Sequence, residues 1–206
     1  MTFSKCKESS CNKKTVFFTE YCLEHTKDKD VLINEIYEFV NKIVDLKGFN
    51  FSHVPFDGFD FSKKDLSYSR FSFCSFKNTN FSGSTIISSF LDFADLENTK
   101  FTSANVNFTV FGGANMKGAL LNDANVNFCN FLGTDLTDVN FNNSDLRYSR
   151  FINSVAKNTS FFNCNFKKTI FQNLAFNEKS LNSSNPQDGI FIDCVCSDCD
   201  IKEYIL

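Results

Sequence analysis

Apolar residues recur at every fifth position through most of this chain. From Phe51 to Leu181 all 27 positions of the series are apolar, and fifteen of them are phenylalanine. Apolar residues make up 42% of the chain. A run of this length would therefore arise by chance with a probability on the order of 10⁻¹⁰ if positions were independent. The period of five is a structural rule of this sequence.

A second series of small residues lies two positions before the first. From Ser69 to Thr169 its 21 members are Ala, Ser, Thr or Cys, with Val139 as the one exception. Neither the helical period of 3.6 nor the strand period of 2.0 fits a five-residue repeat. We expect the chain to turn in the same direction after each short extended segment, with one large and one small side chain pointing inward. This pattern predicts a solenoid.

Several repeat units consist of a small residue, then Asp or Asn, then an aliphatic residue. Examples are Ala94-Asp95-Leu96, Ala104-Asn105-Val106, Ala124-Asn125-Val126 and Ser144-Asp145-Leu146. These units resemble the A(D/N)LXX pattern of the pentapeptide-repeat family, and the resemblance covers about two thirds of the chain. It implies an all-β fold, a right-handed quadrilateral β-helix with four pentapeptides in each coil, over residues 49–181.

Stacked coils satisfy one another's backbone hydrogen-bonding groups, and a single coil buries too little apolar surface. Both ends of a solenoid therefore need to be covered by another element. Residues 28–48 predict a capping α-helix with Asp28 or Asp30 as its N-cap and Gly48 as its C-terminal stop. One face of this helix is apolar, with Leu32, Ile36, Val40 and Ile43. We place the helix over the N-terminal end of the rod.

Residues 182–206 predict a loop followed by a terminal partial coil. Pro186 interrupts the repeat, and apolar residues then return to the same frame at Phe191, Cys196, Ile201 and Leu206. Cys194 and Cys199 fall in the small inward series, as do Cys74, Cys129 and Cys164. A second metal cluster or a redox pair at Cys194, Cys196 and Cys199 is the alternative, but the frame favours their role as compact core residues.

Residues 1–27 contain a cluster of candidate metal ligands in an otherwise polar stretch. The ligands are three thiolates and one imidazole, at Cys6, Cys11, Cys22 and His25. Tetrahedral zinc takes four such ligands, and a site closed by protein supplies folding energy and leaves no position for water. We expect a small N-terminal knuckle with structural Zn²⁺. The alternative is a loosely ordered tail with free thiols, because the gaps of four and ten residues differ from common finger spacings.

Outward positions of the implied coils form an apolar edge along the rod. We use this name for Tyr68, Phe90, Phe93, Phe108, Val110, Phe128, Leu132, Tyr148 and Ile152. A contiguous exposed apolar stripe is typical of an interface, so we expect it to bind a protein partner or a second copy of the chain. Two alternatives stay open: the rings stabilise neighbouring coils only, or the helix at 28–48 folds back over them.

The sequence favours a non-enzymatic protein-binding or scaffolding module over an enzyme. It has two histidines, of which one is a candidate metal ligand and the other, His53, has no evident partner. The sequence has no phosphate-binding glycine loop and no nucleophile elbow. It indicates no small-molecule substrate. No stretch is apolar enough to suggest a secretory signal or a membrane span, so we expect a cytoplasmic protein.

Two other functions remain as alternatives. Some members of the resembled family imitate DNA and protect a type II topoisomerase, DNA gyrase, which requires a strongly acidic surface. Here residues 51–181 carry eleven acidic and twelve basic side chains. A zinc-dependent nucleic-acid-binding role would draw on the lysines near the cysteines, but residues 1–50 carry eight basic and eight acidic side chains.

Overall fold

The repeat forms coils of 20 residues that stack along one axis. A computed structural model describes residues 4–176, 180, 181 and 183–196. Parallel bridges join each residue at the end of a pentapeptide to the residue 20 positions later, from Asp45↔Asp65 to Asp145↔Asn165. Each coil therefore contains four five-residue units, and residues 20 apart become neighbours.

Each unit begins with a tight turn. In the unit that starts at Phe51, the amide of Val54 donates to the Phe51 carbonyl at 3.0 Å, and His53 adopts a left-handed φ of 69°. Amides of the same unit donate to the next coil, for example Phe51 N to Arg70 O at 2.8 Å. These inter-coil bonds supply the backbone partners that a strand finds in a parallel sheet.

The interior contains the two series found in the sequence. Large rings stack from coil to coil, as Phe131 does on Phe151 at a centroid distance of 4.6 Å. Most polar members of the small series make hydrogen bonds inside the rod: Thr134 Oγ1 donates to Phe111 O at 2.9 Å, and Cys129 Sγ donates to Val106 O at 2.9 Å. Ser84 is an exception, since its buried Oγ has no partner among the described residues. The small residue thus fills the space beside the ring and satisfies a buried carbonyl of the preceding coil.

One helix, α1, spans Lys29–Lys42 and buries Leu32, Ile36 and Val40. It ends earlier than the expected Gly48, and Ile43 is 37% exposed instead of lying on the buried face. The reason is that the repeat begins sooner than residue 49. Leu46 is already fully buried in the large series, and Gly48, with φ 77°, is the left-handed residue of the first turn.

The last coils contain short parallel strands. β1 (Arg150–Ile152), β2 (Ile170–Gln172) and β4 (Ile190–Ile192) pair side by side, while β3 (Ala175–Phe176) pairs with β5 (Val195–Cys196). A 3₁₀ turn at Pro186–Asp188 precedes β4, after which Phe191 pairs with Phe171 in the frame of the repeat. Cys199, Ile201 and Leu206 lie outside the described residues.

Within the described ranges, no helix is both long enough and apolar enough to cross a lipid bilayer.

Candidate metal centre and apolar edge

The structure brings the four candidate ligands together at the N-terminal end of the chain. An antiparallel bridge between Lys5 and Lys14 closes a hairpin that carries Cys6 and Cys11. The amide of His25 donates to the Cys22 carbonyl at 3.0 Å, so a tight turn presents these two residues on one side. The ligand atoms of all four residues lie within 4.8 Å of one another.

Three of the separations between these ligand atoms match a tetrahedral metal site. Zn–S bonds of about 2.3 Å and Zn–N bonds of about 2.0–2.1 Å place two sulfurs about 3.8 Å apart, and a sulfur and a nitrogen about 3.6 Å apart. Cys11 Sγ and Cys22 Sγ are 3.8 Å apart. Nδ1 of His25 lies 3.5 Å from Cys6 Sγ and 3.4 Å from Cys22 Sγ. The donor set and its dimensions therefore fit Zn²⁺, with Nδ1 as the imidazole ligand.

The surroundings of the sulfurs favour a thiolate at one position. Burial opposes ionisation of Cys6, but hydrogen bonds from the backbone at Cys22 and Glu8 and from the His25 ring lower its pKa to about 6. Burial raises the pKa of Cys22. The amide of Lys13 donates to Cys11 Sγ at 3.4 Å. A cation bound by these sulfurs would meet one thiol that ionises readily, Cys6, and one that it must deprotonate, Cys22.

The knuckle is attached to the first coil of the rod. The amide of Phe17 donates to the carbonyl of Asn50 at 2.8 Å, and the Asn50 side chain donates to Thr15 O at 2.6 Å. The ring of Phe17 stacks on that of Phe51 at 6.0 Å, which covers the first phenylalanine of the large series. The segment that holds the ligands is thus also part of the N-terminal cap.

The residues of the apolar edge lie along one side of the rod. Most are exposed, and Val110 and Ile152 are half-buried. Phe108, Phe128 and Tyr148 form one column with ring planes nearly parallel and centroids 4.6 Å apart. Lys168 extends this column, with its Nζ 5.6 Å from the Tyr148 centroid. The rings repeat at the spacing of the coils.

A second column runs beside the first. His53, Phe73 and Phe93 stack with centroids 5.0 Å apart, and Phe93 then lies over Gly113, where an added Cβ would meet the ring at 2.6 Å. Helix α1 does not cover either column. It packs elsewhere, with Tyr37 against Phe56 and Phe59, so the alternative in which the helix folds back over the edge does not hold.

Sequence reasoning left one feature of this end unnoticed. His53, Arg70 and Lys14 are distant in the sequence, yet all three line the same cleft beside the knuckle. Arg70 is conspicuous only as a charged member of a column that continues with Phe90 and Val110. That signal becomes readable once the 20-residue coil is established.

The architecture defines a class: a parallel β-solenoid built from five-residue units, four to a coil. The chain belongs to the pentapeptide-repeat family, because a profile described as Pentapeptide repeats matches it in eight copies between residues 44 and 173. Membership implies a right-handed quadrilateral β-helix, and the coils described above are consistent with that form.

Solved structures of other pentapeptide-repeat proteins are similar to this chain. One is full-length QnrB1, described as a plasmid-mediated fluoroquinolone resistance protein, with 20% identity, 79% of this chain and 88% of that chain covered, and a TM-score of 0.35. Another is HetL from the cyanobacterium Nostoc sp. strain PCC 7120, involved in heterocyst differentiation regulation, with 16% identity, coverage of 86% and 96%, and a TM-score of 0.30. No curated protein matches the chain.

Proposed function

We propose that this protein is a non-enzymatic binding module whose contact surface is the apolar edge. The observation that carries the proposal is the presence of exposed rings at corners where the backbone is left-handed. Five of these rings have φ between 55 and 62°: Tyr68, Phe93, Phe108, Phe128 and Tyr148. Bulky residues rarely adopt this conformation, which Asn, Asp and Gly tolerate much better.

The other corners of the rod follow that preference. Asn78, Asn98, Asn143, Asn158 and Asn163 occupy equivalent left-handed positions on other sides. A left-handed backbone costs a bulky residue roughly 1–2 kcal/mol, whereas the stacking of two rings contributes about 0.5–1.5 kcal/mol beyond the apolar area that it buries. The specific ring–ring interaction is therefore only about as large as the backbone cost. A contact with another surface supplies a reason for rings at these corners.

The apolar edge would bind the apolar surface of another protein, and we propose that this protein is a second copy of the chain. Identical apolar edges are self-complementary about a two-fold axis and need no charge complementarity. Phe108 is 54% exposed and Phe128 45% exposed. Pairing of two edges would remove such rings from water and stabilise the dimer through burial of apolar surface.

The double substitution Phe108→Asn with Phe128→Asn tests the proposal. Asn removes both rings but suits the left-handed corners, so the variant should fold with a stability within about 1 kcal/mol of the wild type. Light scattering over a range of concentrations should show a wild-type dimer and a monomeric variant. Phe162→Asn is the control, since Phe162 is 43% exposed but does not belong to the edge; it should leave the dimer intact.

A wild-type protein that stays monomeric at high concentration contradicts pairing through the edge. Unchanged association of the double variant contradicts it equally, because the rings at the centre of the edge would then contribute nothing.

We also propose that Cys6, Cys11, Cys22 and His25 hold a structural Zn²⁺. The fit of the four donor atoms to tetrahedral dimensions supports this assignment, and a closed Cys₃His set has no open position for water. Elemental analysis should give one zinc per chain. Cys22→Ser should lose the metal, while Cys129→Ser, which changes a buried thiol inside the rod, should retain it.

A further inference from the structure

A cleft lies between the N-terminal knuckle and the first two coils. Its volume is about 520 Å³, and it is half open to solvent. Lys13 and Lys14 of the hairpin form one wall; His53, Arg70 and Phe73 of the rod form the other. Clefts of this size take small molecules. Cys22 of the metal centre also borders the cleft, but the cations and rings of its two walls have no role in the metal centre.

The cleft carries positive charge that the surrounding protein does not neutralise. Lys13 is paired with Glu24. Within the described ranges, no carboxylate lies within ion-pair distance of Lys14 or Arg70. Two acidic residues lie beside this wall: Asp92 accepts from the Ser72 hydroxyl at 2.7 Å, and Glu24, the partner of Lys13, is close enough to His53 to interact with its charge. Two cations of the cleft therefore remain available to an anion.

Arg70 is held in place although it lacks a charged partner. Its guanidinium carbon lies 4.9 Å from the centroid of Phe90, a separation typical of a cation–π contact. Its Nε is buried and has no acceptor in the described part of the chain. A buried donor without an acceptor is costly, and an oxyanion bound by the guanidinium would compensate its charge. A planar guanidinium positioned in advance is well suited to carboxylate or phosphate.

A flat ring lies beside these cations. His53 is the first ring of its column, and it stacks on Phe73 with an interplanar angle of 4°. No other described ring stacks on the opposite face of His53. Burial and the charge of Lys13 lower the pKa of His53, which favours a neutral imidazole. The column thus ends, inside the cleft, in an aromatic face that another planar ring could continue.

We infer that this cleft binds a small molecule in which a planar ring is joined to an oxyanion, of the size and chemistry of a nucleoside monophosphate. The oxyanion contacts Arg70 and Lys14, and the ring stacks on His53. The site adjoins the near end of the apolar edge, because Arg70 packs on Phe90 and Phe73 stacks on Phe93. The aromatic column at Phe108 and Phe128 lies further along the rod.

Calorimetric titration of the full-length protein with AMP, adenosine and inorganic phosphate tests this inference. AMP should bind with a Kd of about 1 mM or tighter, and at least about tenfold more tightly than either half alone. Arg70→Gln and His53→Ala should each weaken AMP binding by about tenfold or more. A thermal melt of each variant verifies that the fold is retained.

Arg150→Gln is the matched control. Arg150 occupies the same position in the coil as Arg70, four coils further along, since the bridges lead from Arg70 through Phe90, Val110 and Asn130 to Arg150. It should leave AMP binding unchanged. The inference is overturned if AMP does not bind at millimolar concentration, if phosphate binds as tightly as AMP, or if Arg150→Gln weakens binding as much as Arg70→Gln.

Discussion

At the scale of single residues, the small inward series has a chemical role that its size alone does not reveal. Cysteine serves there as a compact apolar residue, as the sequence predicts, but Cys74, Cys129 and Cys164 also donate their S–H to carbonyls of the preceding coil. Ser149 makes the same contact to Val126 O at 2.6 Å. Ser, Thr and Cys are interchangeable at these positions because each is small and offers one donor.

The buried thiols make stability sensitive to alkaline pH. Burial raises the pKa of Cys129 to about 12 from an ordinary value of 9.0. The folded chain therefore keeps a proton that the unfolded chain releases, so the contribution of this thiol to stability is complete below pH 9.0 and is lost as pH rises towards about 12. In urea unfolding, the wild type should lose stability faster than Cys129→Ser, by about 1 kcal/mol per pH unit in this window.

Cys129→Ser keeps a donor but does not titrate in that range, so it isolates the thiol from the lysines and tyrosines that titrate in both proteins. Equal pH dependence in the two proteins would contradict the prediction.

At the scale of elements, the end of α1 is fixed by a side chain of the rod. Lys64 Nζ donates to the carbonyls of Val40 at 2.8 Å and Ile43 at 2.7 Å. These carbonyls lie at the helix C-terminus, where acceptors lack intrahelical partners and a cation is favourable. Tyr37 donates to the Pro55 carbonyl from the middle of the helix. Three hydrogen bonds thus hold the helix on the first coil.

Lys64→Met should destabilise the protein by about 1 kcal/mol, because it leaves two carbonyls without their charged donor while keeping the apolar length of the side chain. Lys63→Met is the control: Lys63 is the exposed neighbour, and no hydrogen bond or ion pair of its side chain is found in the described part of the chain. Denaturant unfolding of the two variants measures the difference. A loss no greater in Lys64→Met than in Lys63→Met would contradict the proposed cap.

At the scale of the whole molecule, the rod behaves as a stack in which each coil depends on its neighbours. Coils inside the stack have partners on both sides, whereas the first coil depends on the knuckle and α1. Val16 and Leu23 of the knuckle belong to the same buried cluster as Leu46 and Phe51. The metal centre is therefore expected to stabilise the end of the rod and to contribute little to its middle.

Removal of the metal should loosen the rod from its N-terminal end. Treatment of the zinc-loaded protein with a chelator should speed amide hydrogen exchange in the knuckle and in the coil that begins near Leu46, while coils around Phe111 to Phe151 keep their protection. Cys22→Ser should give the same pattern without chelator, and Cys129→Ser should not. Uniform loss of protection along the rod, or no change at all, would contradict this model of capping.

The sequence by itself determined the five-residue period, the two inward series and the set of four ligand residues. These features are local. Each pentapeptide repeats the same turn, and each buried position carries either a large or a small residue. Together with the family resemblance they were sufficient to predict the solenoid. They were not sufficient to end the helix correctly, since Leu46 and Gly48 look equally suited to a helix and to a first coil.

Only the tertiary structure decided which distant residues meet. The implied coil already placed Phe108 and Phe128 on one edge, but Lys14 and Arg70 share a cleft only because the knuckle packs on the first coil through Asn50. Such contacts depend on the register between segments and not on local preference. For that reason the repeat could be read directly from the chain, while the cleft emerged only from the fold.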